Sequence, residues 1–465
     1  MSQTSSPACD TPIAGGISAR VRAVMHRLPA KLLGGGDRAI DRGNALIAFA
    51  VRVASAAILL LTQIALARWM GATEYGAYVY AWTLLLVIGG ISTVGLNIGA
   101  IRIVSELREQ SADAALRGFL RGSRSLILLV ATILTSLAAF AAYGLANRWP
   151  DGPWLAVALV LMAVPAYALT DLQDGICRGS GRIASALVAP YIVRPLLILA
   201  GLGLVHHLGL PLDAGMAAIA AIAATWIAWA LQSIIVARDF RCTLPAGPRT
   251  YHTKAWARTT APLFMMSVFD LAMQHIDIIV ISNLLSTAEA GIYFAAAKTM
   301  ALILFVHYAV GSAMANRFAA ISTRGDSEAM RASVRDAVRL TFWPSLAMAV
   351  LMLAAGKPLL ALFGPGFADG YPVMFVLAIA IMARAAIGPA EALLNMSGGQ
   401  ADCARTLMIA AFSNLLLNLL LTPLFGILGA ATAVGTAMLL GAVLNWRAAK
   451  RRLGFDIGIW AVYRS

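Results

Sequence analysis

The stretch "LILLVATILTSLAAFAAYGLA", residues 126–146, is apolar on every helical face. At 1.5 Å rise per residue it spans the ~30 Å hydrocarbon core of a bilayer, where only a helix or a closed barrel satisfies its own backbone polar groups. Transmembrane strands would alternate in polarity over ~10 residues, and this run does not, so the barrel is rejected. Comparable runs fill the chain. With 60% hydrophobic and 12% charged residues over 465 positions, too little polar surface remains for a soluble globule.

Twelve spans are expected, near 45–67, 77–99, 125–146, 154–175, 185–205, 214–237, 261–285, 294–315, 340–362, 372–394, 405–423 and 427–446. Residues 1–43 form a basic arm rich in Ser, Gly and Arg, read as a disordered or surface-lying segment without a signal-peptide core. With the N-terminus inside, 29 of the 36 Lys and Arg fall on cytoplasmic segments, and an even span count returns the C-terminal tail, 447–465, to the same side. Cys9, Cys177, Cys242 and Cys403 lie at or near that reducing side, with no disulfide framework or metal spacing. The net charge of +14 is spread over short loops without an aromatic-basic platform, so nucleic acid is not an expected partner.

The connector "TEYGAYVYA" at 73–81 returns as "AEAGIYFAA" at 288–296. A shift of 215 residues superposes Glu74 on Glu289, Gly76 on Gly291, Tyr78 on Tyr293 and Ala81 on Ala296. The same shift lays "AIR" at 100–102 on "ANR" at 315–317 and Arg124 on Arg339. A duplication follows: residues 44–237 and 261–446 form two six-helix bundles joined by a cytoplasmic linker, 238–260. Six spans is an even number, so the bundles enter the membrane in the same direction. Gly76 and Gly291 allow a left-handed or close-packed backbone at each connector. Tyr75, Tyr78, Tyr80, Trp69 and Trp82 are expected to anchor an outer hairpin at the headgroups.

The segments "LARWMGATEYGAYVYAWTLLL" and "GLNIGAIRIVSEL" resemble the lipid-linked oligosaccharide flippases of the polysaccharide biosynthesis family, in the multidrug/oligosaccharidyl-lipid/polysaccharide (MOP) exporter superfamily. Ala67, Arg68, Gly71, Tyr75, Gly76 and Tyr78 match the family's connector, and Met70 replaces its usual Leu. "CRGSGR" at 177–182 and "NMSGGQ" at 395–400 look like its cytoplasmic turns. The resemblance covers about residues 40 to 447 and implies an all-α polytopic protein of the bacterial inner membrane. It also implies two parallel bundles around a central cavity, and a non-enzymatic transporter.

Ionisable side chains inside the bilayer are costly and mark functional candidates. Arg52, Arg194, Lys298 and Arg384 are candidates to contact the substrate, since a guanidinium engages two phosphate oxygens at once. Arg194 precedes Pro195, whose missing N–H should kink the fifth span. Asn414 and Asn418, one turn apart, are candidates for sugar hydroxyls. Asp270 and Asp277, with Gln274 between them, form a polar stripe that could carry a coupling H+ or Na+. His275 and His307 are weaker candidates, and Asp171 and Asp174 read as solvated at the end of the fourth span. No cofactor, metal or nucleotide site is expected, because "LLGGGDR" lacks the Lys-Ser/Thr of a phosphate loop.

The expected function is translocation of a polyprenyl-(pyro)phosphate-linked oligosaccharide to the outer leaflet for polysaccharide or O-antigen assembly. Membrane lipids, and polymerase or ligase machinery that consumes the product, would be its partners. A cation-coupled drug antiporter of the same superfamily is the alternative, and would need an apolar, acid-lined pocket. A membrane glycan polymerase or ligase is disfavoured by loops of only about 20 residues.

Overall fold

The computed structural model describes residues 37–150 and 152–462, with side chains from residue 55 onward except at 183, 184, 242, 316 and 462. The expected disordered arm therefore lies outside the described residues up to position 36, while its last residues already belong to a helix beginning at Asp37.

Among the described residues, nine helices are long and apolar enough to cross a membrane, ten when a pair bent by 48° counts as one span. Two of them each carry two spans. Asp37–Ser92 breaks at Gly71 (φ 78°, ψ 171°) and Gln400–Leu453 at Gly426 (φ 60°, ψ −143°). A straight helix of either length would run about 80 Å, far beyond the membrane, so each must break, and a residue without Cβ adopts these dihedrals at least cost. Twelve spans result, in an all-α polytopic membrane protein.

The bent pair, Trp154–Leu161 and Val164–Gly179, makes the fourth span. The fifth begins as Ile183–Val188, passes through a π-helical turn at Ala189–Val193 and continues as Arg194–His207. That irregular turn sits just before Pro195, where the lost donor disrupts regular hydrogen bonding. Thr253–Leu284 and Thr287–Ala301 open the second half, and the latter continues as Leu304–Arg324. Ala214–Thr243 closes the first half, so the connection between halves is residues 244–252, shorter than the sequence implies.

The two halves meet where the first two spans pack on the seventh and eighth. The repeated glycines lie at this seam: a Cβ placed on Gly76 would fall 1.7 Å from the carbonyl oxygen of Thr287, and one on Gly291 would fall 3.2 Å from Gly76 Cα. Neither has positive φ. Close approach, rather than left-handed backbone, is what both need, and it closes the connector end of the molecule.

This packing corrects the role of the connector aromatics. Tyr75, Tyr78 and Tyr80 are buried, at 0, 2 and 6% exposure, rather than set among headgroups. The Tyr75 hydroxyl donates to Gln63 Oε1 at 2.9 Å, and its ring meets Phe294 and Phe367 edge-on. Glu74 Oε2 accepts from the Ala214 amide at 2.8 Å, capping the sixth span. At the repeated connector Ser286 caps the eighth span, its hydroxyl accepting from the Glu289 amide at 3.2 Å and donating to the Glu289 carboxylate at 2.9 Å.

Candidate functional site

A cavity of about 620 Å³ lies between the halves, lined by spans one, two, four and five of the first and by spans seven and eight of the second. Two of the candidate cations reach it. Arg194, the first residue after the π-helical turn, places its guanidinium carbon 5.4 Å from the Trp82 ring and 5.3 Å from the Tyr167 ring. Cation–π contact of this kind is worth about 0.5–2 kcal/mol, more as water is excluded. Trp82 in turn stacks on Tyr78, the tyrosine of the repeated connector. Lys298, from the opposite half, holds its ammonium 5.0 Å from the Phe294 ring. Neither has a carboxylate within 4.0 Å among the described residues.

The acidic lining is the part that sequence reasoning misplaced. Asp171 and Asp174 line the cavity and are not simply solvated. Asp171 Oδ2 accepts from Asn97 Nδ2 at 2.8 Å, and Asp174 pairs with Arg178 at 2.8 Å. A signal was available: Tyr167, Asp171 and Asp174 fall at i, i+4 and i+7, one face of a helix.

The polar stripe of the seventh span divides. Asp270 and Gln274 face the cavity, with Gln274 Nε2 donating to Asp270 Oδ2 at 2.6 Å, and His275 joins them. Asp277 is buried away from the lining and accepts from the Tyr293 hydroxyl at 2.8 Å. The two aligned tyrosines have thus diverged, Tyr78 facing the cavity and Tyr293 holding a carboxylate.

Three candidates are not brought there. Arg384 lies in the last turn of Tyr371–Ile387, a helix that does not line the cavity, and its guanidinium sits 3.4 Å from Glu391. Asn414 and Asn418 are fully buried and bond to each other, Asn418 Nδ2 to Asn414 Oδ1 at 2.9 Å, in a span packed against neighbouring helices. Hydrogen bonding along one buried helix, continued by the Thr422 hydroxyl to Asn418 Oδ1 at 3.4 Å, engages them where the cavity does not reach. The Arg52 side chain lies outside the described residues, although its backbone continues the first helix. No group of three or more metal-ligating side chains occurs among the described residues.

A family model described as "Polysaccharide biosynthesis protein" matches residues 42–320, and a second, MatE, matches residues 262–424. No curated protein matches the chain in sequence. Among solved structures, the fold is similar to a lipid II flippase, MurJ, in an inward closed conformation, with TM-score 0.70 and 15% identity over 87% of each chain. It is also similar to an inward-facing multidrug resistance MATE family transporter of the MOP superfamily, with TM-score 0.68 and 12% identity over 87% of this chain and 98% of that one. A MOP superfamily transporter from Pyrococcus furiosus, described by the reverse polarity of its binding pocket, gives 0.65 and 12% over 89% and 96%. The chain shares its fold with these proteins, and a family match over more than half its length assigns the sequence as well: this protein is a multi-spanning membrane protein of the polysaccharide biosynthesis family.

Proposed function

We propose that the protein carries a polyprenyl-(pyro)phosphate-linked oligosaccharide from the inner to the outer leaflet of a bacterial inner membrane by alternating access, for polysaccharide or O-antigen assembly. The observation that carries this reading is the pair Arg194 and Lys298: one cation from each half, both lining the cavity, and neither within 4.0 Å of a carboxylate among the described residues. An anionic linkage drawn between them engages both halves at once, so binding energy is available to bias their rocking. The aromatic faces of Trp82, Tyr78 and Tyr167 suit sugar rings stacked beside the phosphate. Asp270, on the cavity wall and hydrogen-bonded by Gln274, is the candidate for a coupling proton.

In proteoliposomes carrying a fluorescent polyprenyl-pyrophosphate glycan, Arg194→Ala and Lys298→Ala variants that still insert are expected to lose transport about tenfold or more each. That corresponds to one charge-assisted hydrogen bond of about 1.5–3 kcal/mol. Undiminished glycan transport in the double variant would overturn the assignment.

A specific observation favours a second reading, cation antiport, because Asp171, Asp174 and Asp270 line the same cavity. Export of an organic cation by protein that moves no glycan, lost in Asp270→Asn, would establish it instead.

A further inference from the structure

Away from the central cavity, a second groove of about 730 Å³ opens between the third, fourth and sixth spans and the linker. Its lining includes Arg117, Arg121 and Arg124 from Asp113–Arg148 and Arg249 from the linker, and no carboxylate. The first three recur at i, i+4 and i+7, so they form one basic face. Arg117 is already employed: its Nη1 donates to the Pro245 carbonyl at 2.6 Å and its Nε to the Pro248 carbonyl at 2.9 Å. With the Thr250 amide donating to Ala114 O at 3.0 Å, these bonds strap the linker to the helix.

The remaining three arginines have no ion pair within 4.0 Å among the described residues, where Asp174 pairs with Arg178 and Asp239 with Arg182. Three buried polar atoms of the groove lining have no hydrogen-bond partner among the described residues, the donors Arg124 Nε and Trp229 Nε1 and the acceptor Gln173 Oε1. Buried donors are ordinarily satisfied, so their convergence in a cationic groove points to an absent acceptor. Cytoplasmic retention of positive charge explains arginines on a loop, but it does not explain a buried one aimed at nothing. The 215-residue shift keeps only one of the three helix arginines, Arg124 on Arg339; it places Ala332 at Arg117 and Asp336, 3.9 Å from Arg317, at Arg121, so the basic face is particular to the first half.

We propose that this groove binds a phosphate group of net negative charge, one not balanced by a cation of its own molecule, held between the helix Asp113–Arg148 and the linker, so that occupancy staples the connection between the two halves to the first bundle. A phosphate offers oxygens to several guanidinium forks at once. The groove also runs from Arg117 to Leu128, which is exposed on the apolar belt, so its reach matches a lipid headgroup at the side that charge bias assigns to the cytoplasm. Soluble phosphate presents the same chemistry, and the test separates the two sources.

The full chain would be placed in nanodiscs of phosphatidylcholine alone or mixed with phosphatidylglycerol, with and without inorganic phosphate, and hydrogen exchange followed over residues 244–252. Phosphatidylglycerol is expected to slow exchange there about tenfold, with the remote segment 356–370 unchanged as a control. The protection should fall to the phosphatidylcholine level in Arg124→Gln and, because Arg124 is half-buried, also in Arg121→Gln at an exposed position. Equal protection by inorganic phosphate in phosphatidylcholine would assign the site to a soluble anion. Identical exchange under every condition, or protection unaffected by both substitutions, would overturn the proposal.

Discussion

Arg194 and Arg384 both stand in apolar helices beside a backbone irregularity, yet their surroundings give them different work. Arg194 lies against two aromatic faces on the cavity wall, with no carboxylate within 4.0 Å among the described residues. Arg384 faces Glu391 and is spent in that pair. The cost of charge inside a bilayer makes both visible in the sequence as candidates, and it says nothing about what each one touches. The asparagines make the same point from the other side. Asn418→Leu is expected to leave transport unchanged and to cost about 0.5–1.5 kcal/mol of stability, the range for one buried hydrogen bond, here made along its own helix, read as a lowered unfolding temperature in detergent. A transport defect in a variant of native stability would return the pair to the substrate site.

At the scale of elements, the repeated connector is a seam. Gly76 allows the second span to approach the eighth until Thr287 O would overlap any Cβ. Gly76→Ala is therefore expected to part the halves at this end. In a background without native cysteines, a thiol introduced at Gln274, on the cavity wall, should then be labelled faster by a membrane-impermeant reagent added outside; unchanged labelling would mean that this contact does not close the cavity. The C-terminal segment shows a different, pH-dependent contact. Partial burial raises the affinity of Asp456 for a proton, but donation from Trp446, Gly458, Trp460 and Lys450 outweighs it and holds the carboxyl below its ordinary value. A depressed carboxylate stabilises above its unfolded pKa, and that contribution is lost as pH falls through the folded one. Hydrogen exchange over 455–461 should accordingly rise on acidification below about pH 4, the usual carboxylate range. Asp456→Asn should abolish that rise.

For the whole molecule, one end is shut by the Gly76–Gly291 seam, and transport by rocking requires that seam to open. Cysteines at Ala72 and Thr287 joined by a short, cleavable bifunctional reagent are expected to abolish transport, with recovery on cleavage. Full transport by the cross-linked protein would exclude rocking about this contact. The sequence by itself determined the apolar solvent of the spans and their number, because hydropathy is a property read locally along the chain, and its 215-residue echo is the ground for expecting a duplication. It also marked the residue types from which a site could be built. Tertiary structure alone decided that Arg194, Lys298, Asp171 and Asp270 converge while Arg384, Asn414 and Asn418 do not. A helix that is apolar all round carries no periodic signal of its rotation, so which polar side chain faces the cavity is set only when neighbouring helices pack against it.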